Sequence, residues 1–316
     1  MINLHKPAAL LLALTLTLST ACTGRTAEPT ATDKTAAVSV VVTFDALYEL
    51  ASAIGGDRVN VVNIMPPGAD AHHFEPRPKD IALLGTADVF LVCGLGFDPW
   101  AQDVIDAAGN NDLTVCEASR GIVPIELSGD AHGLGPGNSI NSDDDRGSYD
   151  PHAWLSISCA KLMVENIRDA LILADPGGAE YFRDNSNMFI QKLDGLFDEY
   201  SEKFSALQNR TLVTGHAVFA YLCRDFSLEQ NSVEGVFAEG EPNARALSEL
   251  IDFCRANNIT VILAESQSSP LVAETLAAEA GASVRMIYTM ETPEEGLTYI
   301  ERMERNLATI YESMKN

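Results

Sequence analysis

Along most of the chain, short runs of aliphatic and β-branched residues alternate with stretches whose apolar positions recur every three or four residues. In the first half the runs are Val38–Phe44, Val59–Ile64, Asp88–Cys93 and Leu113–Val115, and the helical stretches are Leu47–Ile54, Lys79–Leu84 and Pro99–Ala108. The second half repeats the alternation. Strands are predicted over Thr211–Thr214, near Ser232, over Val261–Ala264 and over Val284–Ile287, and helices over Val218–Phe226, Ala244–Asn257, Leu271–Ala280 and Glu294–Met314. Parallel strands need a crossover, which a helix supplies, so this rhythm predicts an α/β protein of two lobes, each a mostly parallel sheet flanked by helices. Glu241-Pro242-Asn243 reads as a helix start with Asn243 as N-cap.

The segment between the halves has a different period. An amphipathic helix over Ile157–Leu173 closes at Asp175-Pro176-Gly177-Gly178, and from Ala179 to Leu207 only Gly195 interrupts a pattern carried by Phe182, Phe189, Leu193, Leu196, Phe197, Tyr200 and Phe204. One helix of about 28 residues would be about 42 Å long, enough to join two lobes as a rigid strut. Ligands of such sheets gather at the carboxyl ends of the strands, which places the expected site in the cleft between the lobes. The resulting division is an N-terminal lobe over 38–175, a linking helix over 176–208 and a C-terminal lobe over 209–316.

The N-terminus does not belong to this rhythm. After His5-Lys6 comes an apolar run from Ala8 to Leu18 broken only by threonine, which has the length of a signal-peptide core and is too short to span a bilayer. Residues 1–21 therefore read as a signal peptide, and the chain as exported. Ser19-Thr20-Ala21-Cys22 looks like the lipid-modified cysteine of a bacterial lipoprotein, with Ser19 standing where Leu or Val is usual. Residues 22–37 lack periodicity and large apolar side chains and read as a flexible tether.

Composition narrows the function further. A net charge of -24 argues against a nucleic-acid partner, which needs clustered Lys and Arg. The acidity suits an exported, soluble protein and can concentrate cations near its surface. Beyond Cys22 there are five cysteines, Cys93, Cys116, Cys159, Cys223 and Cys254, so at least one is unpaired. Their spacing is not that of a metal motif, and Cys93 and Cys116 end apolar runs, where a thiol is a small core residue.

The candidate chemistry rests on three histidines. His72 lies in Asp70-Ala71-His72-His73-Phe74-Glu75-Pro76, His152 in Asp150-Pro151-His152-Ala153-Trp154, and His216 in Thr214-Gly215-His216-Ala217-Val218-Phe219. Each follows a predicted strand or leads into a helix, where a fold can bring side chains together. Neutral imidazole is the commonest protein ligand for a borderline-soft dication such as Zn2+, and Asp70, Glu75 and Asp150 stand where they could hold a distal ring nitrogen. Of His72 and His73 only one can point at a shared site. Ligation needs unprotonated rings, so affinity is expected to fall below a pH of about 6.5.

With these residues in place, the chain resembles the metal-specific solute-binding proteins of bacterial zinc and manganese ABC importers over essentially its whole mature length. The stretch Asp70–Pro76 is similar to the family pattern Asp-Pro-His-x-Phe/Tyr-Glu-Pro, with Ala71 replacing the proline. Asp150-Pro151-His152-Ala153-Trp154-Leu155, Thr214-Gly215-His216 with Phe219 and Tyr221, Gly94-Leu95-Gly96, Glu241-Pro242 and the stretch Ile262 to Gln267 also match. The resemblance implies extracytoplasmic capture of a divalent metal ion by a lipid-anchored monomer, and its delivery to an ABC permease in the membrane. It makes His72, His152 and His216 the ligands, His72 being preferred to His73 because it takes the third place of its motif.

Manganese-binding members tend to carry a carboxylate where His216 stands, so the resemblance favours Zn2+ over Mn2+. For the fourth ligand it gives Glu291 first, Glu265 second and water third. The His-rich loop of many zinc members is represented only by His132 amid Asp143–Asp145, between Ser128 and Tyr149. A different class of function remains open, an exported zinc hydrolase with Glu265 as base, although no His-Glu-x-x-His helix is present.

Overall fold

The computed structural model describes residues 37–127, 148–236, 244–265, 271–294 and 296–315. The signal and tether segments with Cys22, His132 with Asp143–Asp145, and the helix start at Asn243 lie outside them.

Two four-stranded parallel sheets form the frame. The first contains β1 (Val38–Val42), β2 (Val59–Asn63), β3 (Val89–Val92) and β4 (Thr114–Glu117) in the order β2-β1-β3-β4, and the second contains β5 (Thr211–His216), β6 (Glu229–Glu234), β7 (Val261–Glu265) and β8 (Ser283–Ile287) in the order β6-β5-β7-β8. Both sheets therefore wind the same way, outward on one side of their first strand and then back across to the other. That reversal sits between β1 and β3 in one sheet and between β5 and β7 in the other, and the carboxyl ends beside it are where such sheets receive ligands. The inner strands β3 and β7 are buried along their whole length, as the unbroken apolar runs Val89–Val92 and Val261–Ala264 require.

Helices α1 (Asp45–Gly55), α2 (Pro78–Leu84), α3 (Ala101–Ala108) and α4 (Ile157–Ala174) belong to the first lobe, and α6 (Ala220–Phe226), α7 (Ala244–Ala256), α8 (Leu271–Ala280) and α9 (Tyr299–Met314) to the second. Between them runs α5 (Ala179–Ser205), whose 27 residues make it about 40 Å long. Phe182, Ser186, Phe189, Leu193, Leu196, Tyr200 and Phe204 form its buried stripe, and it packs on α1 and α4 at one end and on α6 and α9 at the other. A single 3-10 turn, Pro176–Gly178, separates α4 from α5, with Asp175 accepting from the Gly178 N–H at 3.2 Å and from Arg58 Nε at 2.8 Å. A Cβ on Gly178 would lie 2.6 Å from Arg58 Nε and from Asp175 Oδ2, so only glycine lets this corner close.

The two lobes share a core. One apolar cluster takes in Val40, Leu47 and Trp154 from the first lobe, Phe182 from α5, and Phe219, Met290 and Leu307 from the second. A smaller cluster, with Val213, Leu250, Ile262 and Leu276, lies where α7 and α8 cover the second sheet. The five cysteines are buried and unpaired, and burial raises the pKa of each thiol, to about 11 for Cys116 and Cys254. Among the described residues no helix is long and apolar enough to cross a membrane.

Several boundaries differ from the sequence expectation. Strand β5 continues through Gly215 to His216 instead of ending at Thr214, and α6 starts at Ala220 instead of Val218. Strand β4 is shifted to Thr114–Glu117. The last helix starts at Tyr299 rather than Glu294, because Gly296 takes φ 67 and Thr298 forms a capping box with Glu301.

Candidate metal centre

Both lobes deliver imidazoles to the gap between the sheets' carboxyl ends. His72 is carried by the loop between β2 and α2, which is pinned by buried Ala71 and Phe74. Asp70 Oδ1 accepts from the His72 main-chain N–H at 3.0 Å, a local turn that fixes the backbone. Asp70 Oδ2 lies 2.8 Å from His73 Nδ1, so the ring that Asp70 orients is that of His73, and not that of His72 as the sequence suggested. His73 is exposed. Phe97 closes against His72 with ring centroids 5.8 Å apart.

His152 is fully buried in the segment between β4 and α4. The turn Asp150-Pro151-His152 folds the Asp150 carboxylate back, so that Oδ1 accepts from the His152 N–H at 2.9 Å and lies 2.8 Å from Nδ1. A carboxylate beside Nδ1 places the proton there and leaves the Nε2 lone pair facing the gap. Nε2 lies 3.3 Å from His72 Nε2. Tyr221 OH donates to the Asp150 carbonyl at 2.7 Å and accepts from the Ile125 N–H at 3.1 Å, anchoring the turn to the second lobe.

His216 comes from the sheet itself, as the last residue of β5 paired with Glu234 of β6. Its main-chain N–H donates to Glu265 Oε1 at 3.0 Å. Nε2 lies 2.7 Å from the Val236 carbonyl, and because a carbonyl only accepts, Nε2 carries the proton and the lone pair is left on Nδ1. Gly215 lets the Glu265 carboxylate lie against the strand, since a Cβ there would be 3.0 Å from Glu265 Oε2.

The ligand atoms of His72, His152 and His216 all lie within 4.8 Å of one another. Nitrogens bound tetrahedrally at 2.0–2.1 Å are about 3.4 Å apart, so small movements would seat one ion among the three rings. Burial is the main cause that depresses the ring pKa values, to about 3 for His152, to about 4 for His216 and well below 6.5 for His72, with mutual repulsion of the rings adding at His72 and His216. The rings are thus neutral, the form that binds metal. The expected loss of affinity just below pH 6.5 assumed ordinary imidazoles, whereas burial moves proton competition for these three nitrogens to lower pH.

Carboxyls complete the surroundings. Glu291, in the loop after β8, holds Oε1 3.7 Å from His152 Nε2. That oxygen is buried with no hydrogen-bond partner among the described residues, and burial, then the charges of Glu265, Asp70 and Glu294, push the carboxyl up to about 8. An unsatisfied buried oxygen beside neutral imidazoles is what a cation would relieve. Asp150 is likewise pushed up to about 7 by burial. Glu265 is buried and occupied with the His216 main chain, while Glu75 is exposed, and among the described residues no hydrogen bond or ion pair joins it to the three rings. The Val236 carbonyl had no signal in the sequence, because any residue type supplies one.

Two like-wound α/β lobes bridged by one long helix, with imidazoles converging where the sheets' carboxyl ends face each other, are the architecture of a solute-binding protein of the metal-specific type. The chain belongs to the ZnuA family, zinc-uptake complex component A, periplasmic, which matches residues 40–313. A protein of Treponema pallidum (strain Nichols), provisionally named as metal-binding, is 42% identical over 283 residues, 89% of this chain and 88% of that one. The high-affinity zinc uptake system protein ZnuA of Bacillus subtilis (strain 168) is 30% identical over 302 residues, 94% of each chain. Among solved structures, the Zn(II)-bound ZnuA-like domain of Streptococcus pneumoniae AdcA is 29% identical and superposes with a TM-score of 0.74 over 89% of this chain and 100% of that one.

Proposed function

We propose that this chain captures Zn2+ outside the cytoplasm and delivers it to an ABC permease, with the ion as cargo and without chemistry on it. His72, His152 and His216 are the ligands and Glu291 the fourth. The observation that carries the reading is the set of three neutral imidazoles whose ligand atoms lie within 4.8 Å, drawn from both lobes. Nitrogen donors favour zinc over manganese, and the relatives named above for a metal uptake system are named for zinc. The hydrolase reading is weaker, because Glu265 Oε1 is engaged by the His216 main-chain N–H instead of facing a metal-bound water.

In the same reading residues 1–21 are removed on export, Cys22 carries a lipid anchor, and 22–37 tether a monomer whose lobes 38–175 and 209–316 are joined by the helix in 176–208. Elemental analysis of protein purified without added metal, with competition against a chromophoric zinc chelator, tests the proposal. One zinc per chain, lost in His216→Ala, is expected. A chain that carries no zinc and cannot compete for it overturns the reading.

A further inference from the structure

The loop that carries Glu291 belongs to the second lobe in sequence but is held by the first. Thr289 O accepts from Trp154 Nε1 at 2.7 Å, Met290 O from the Ala46 N–H at 3.0 Å and Glu291 O from the Asp45 N–H at 3.1 Å. The last two donors are the opening N–H groups of α1, whose N-cap residue Phe44 provides no side-chain cap. Carbonyls from the other lobe therefore satisfy donors that a helix start leaves open. Between them Met290, fully buried, takes φ 61. A methionine in the left-handed region persists only where its surroundings fix it.

A buried ion cluster supplies that constraint. Arg302 of α9 is fully buried, with Nη1 2.7 Å from Asp45 Oδ2 and 3.7 Å from Glu294 Oε2, and it also reaches the Thr292 carbonyl at 3.5 Å. One guanidinium thus ties the first turn of α1 to the stretch that follows Glu291. On the other side, the Asn306 side chain of α9 takes both the N–H and the carbonyl of Tyr288, at 2.8 and 2.7 Å. The loop is clamped at both ends and braced in the middle, which leaves the Glu291 carboxylate at the imidazoles.

We infer that Asp45 and Arg302 are positioning residues for the fourth ligand: their ion pair and the start of α1 lock the Met290 turn, so that Glu291 is presented to the metal as part of the first lobe. The inference rests on the reading of Glu291 as a ligand. It explains why an arginine is kept in a core where its charge needs carboxylates on both sides to be tolerated. Neither residue touches the ion, and their effect passes through Glu291 alone.

The test is a double-mutant cycle on the whole chain, read by zinc affinity and by the visible spectrum of the Co2+-loaded protein. Glu291→Gln is expected to weaken zinc binding about ten-fold or more and to change the Co2+ spectrum. Asp45→Asn, which keeps the volume and removes the charge, is expected to shift the spectrum in the same direction and to weaken zinc by a similar factor. In the Glu291→Gln background Asp45→Asn should then add nothing, whereas a general loosening of the fold would add in full.

Arg302→Met should behave like Asp45→Asn, and if it fails to fold, Asp45→Asn alone decides. An Asp45→Asn protein with unchanged affinity and spectrum, or an effect undiminished in the Glu291→Gln background, overturns the positioning role and leaves Glu291 as a ligand. An unchanged Glu291→Gln protein removes the ligand reading, and this inference with it.

Discussion

In the first lobe both imidazoles ride on connecting segments, His72 after β2 and His152 after β4, whereas the second lobe presents His216 from the end of β5, already paired in the sheet. The windings of the two sheets are the same, so the difference lies in how a ring is held. A residue in a parallel ladder inherits its place from main-chain hydrogen bonds. A residue in a loop needs a dedicated anchor, and Asp150 provides it for His152, bonding both its N–H and its ring. Strand-borne donors should therefore tolerate loss of their side-chain supports, and loop-borne donors should not.

The largest effect sets the baseline for that comparison. Four-ligand zinc sites are worth about 10–16 kcal/mol, so His152→Ala and His216→Ala should each weaken zinc binding by about a hundred-fold or more, measured by chelator competition. Asp150→Asn should cost about 10–100-fold while the protein stays folded, because the His152 ring loses its orienting partner. An Asp150→Asn protein with native affinity would erase the distinction between loop and strand. Gly215→Ala pushes a methyl to 3.0 Å from Glu265 Oε2 and is expected to lower stability by about 1–3 kcal/mol in denaturant titration.

A smaller effect is the pH dependence of the metal-free fold. His152 and His216, with folded values of about 3 and about 4 against 6.5 unfolded, contribute stability that is present above 6.5 and lost as pH falls towards those values. Asp150 and Glu291, raised to about 7 and about 8 from 3.8 and 4.5, contribute in the opposite sense, fully at low pH and less as pH rises through the raised values. The two slopes oppose each other in mildly acidic solution. Above pH 6.5 only the carboxyls still titrate, so the melting temperature of the metal-free protein should fall between pH 6.5 and 8, and zinc should remove that fall. A flat metal-free profile over that interval would contradict the burial of Glu291. Glu265→Gln should do least, within about 0.5–1.5 kcal/mol in stability and with zinc affinity near native, because the ladder still holds His216.

Much of this was legible in the residues. Alternation of β-branched runs and helical stretches was enough for two parallel sheets, and the long period from Ala179 onward for the strut, because both are local signals that burial reinforces. The three histidines could be picked out because each follows a predicted strand or leads into a helix, and their ligand atoms do meet within 4.8 Å. Other features depend on contacts that sequence spacing hides. The predicted strand ends at Thr214, yet β5 continues through Gly215 to His216, and the Glu265 carboxylate lies where a side chain on Gly215 would come close. Asp70 stands two residues before His72 and three before His73, and only the turn of the loop decides which ring it meets. The meeting of Asp45 with Arg302 joins residues far apart in sequence, the first at the start of α1 and the second in α9, and no periodicity announces it.

The five cysteines among the described residues bear on what the centre can hold. A cysteine competes for zinc, or reacts with an oxidant, as an anion, and desolvation favours the neutral form of each of these five thiols. An ion seated among the three rings would accordingly find nitrogen and oxygen donors, and none of these five buried thiols is placed to cross-link one chain to another.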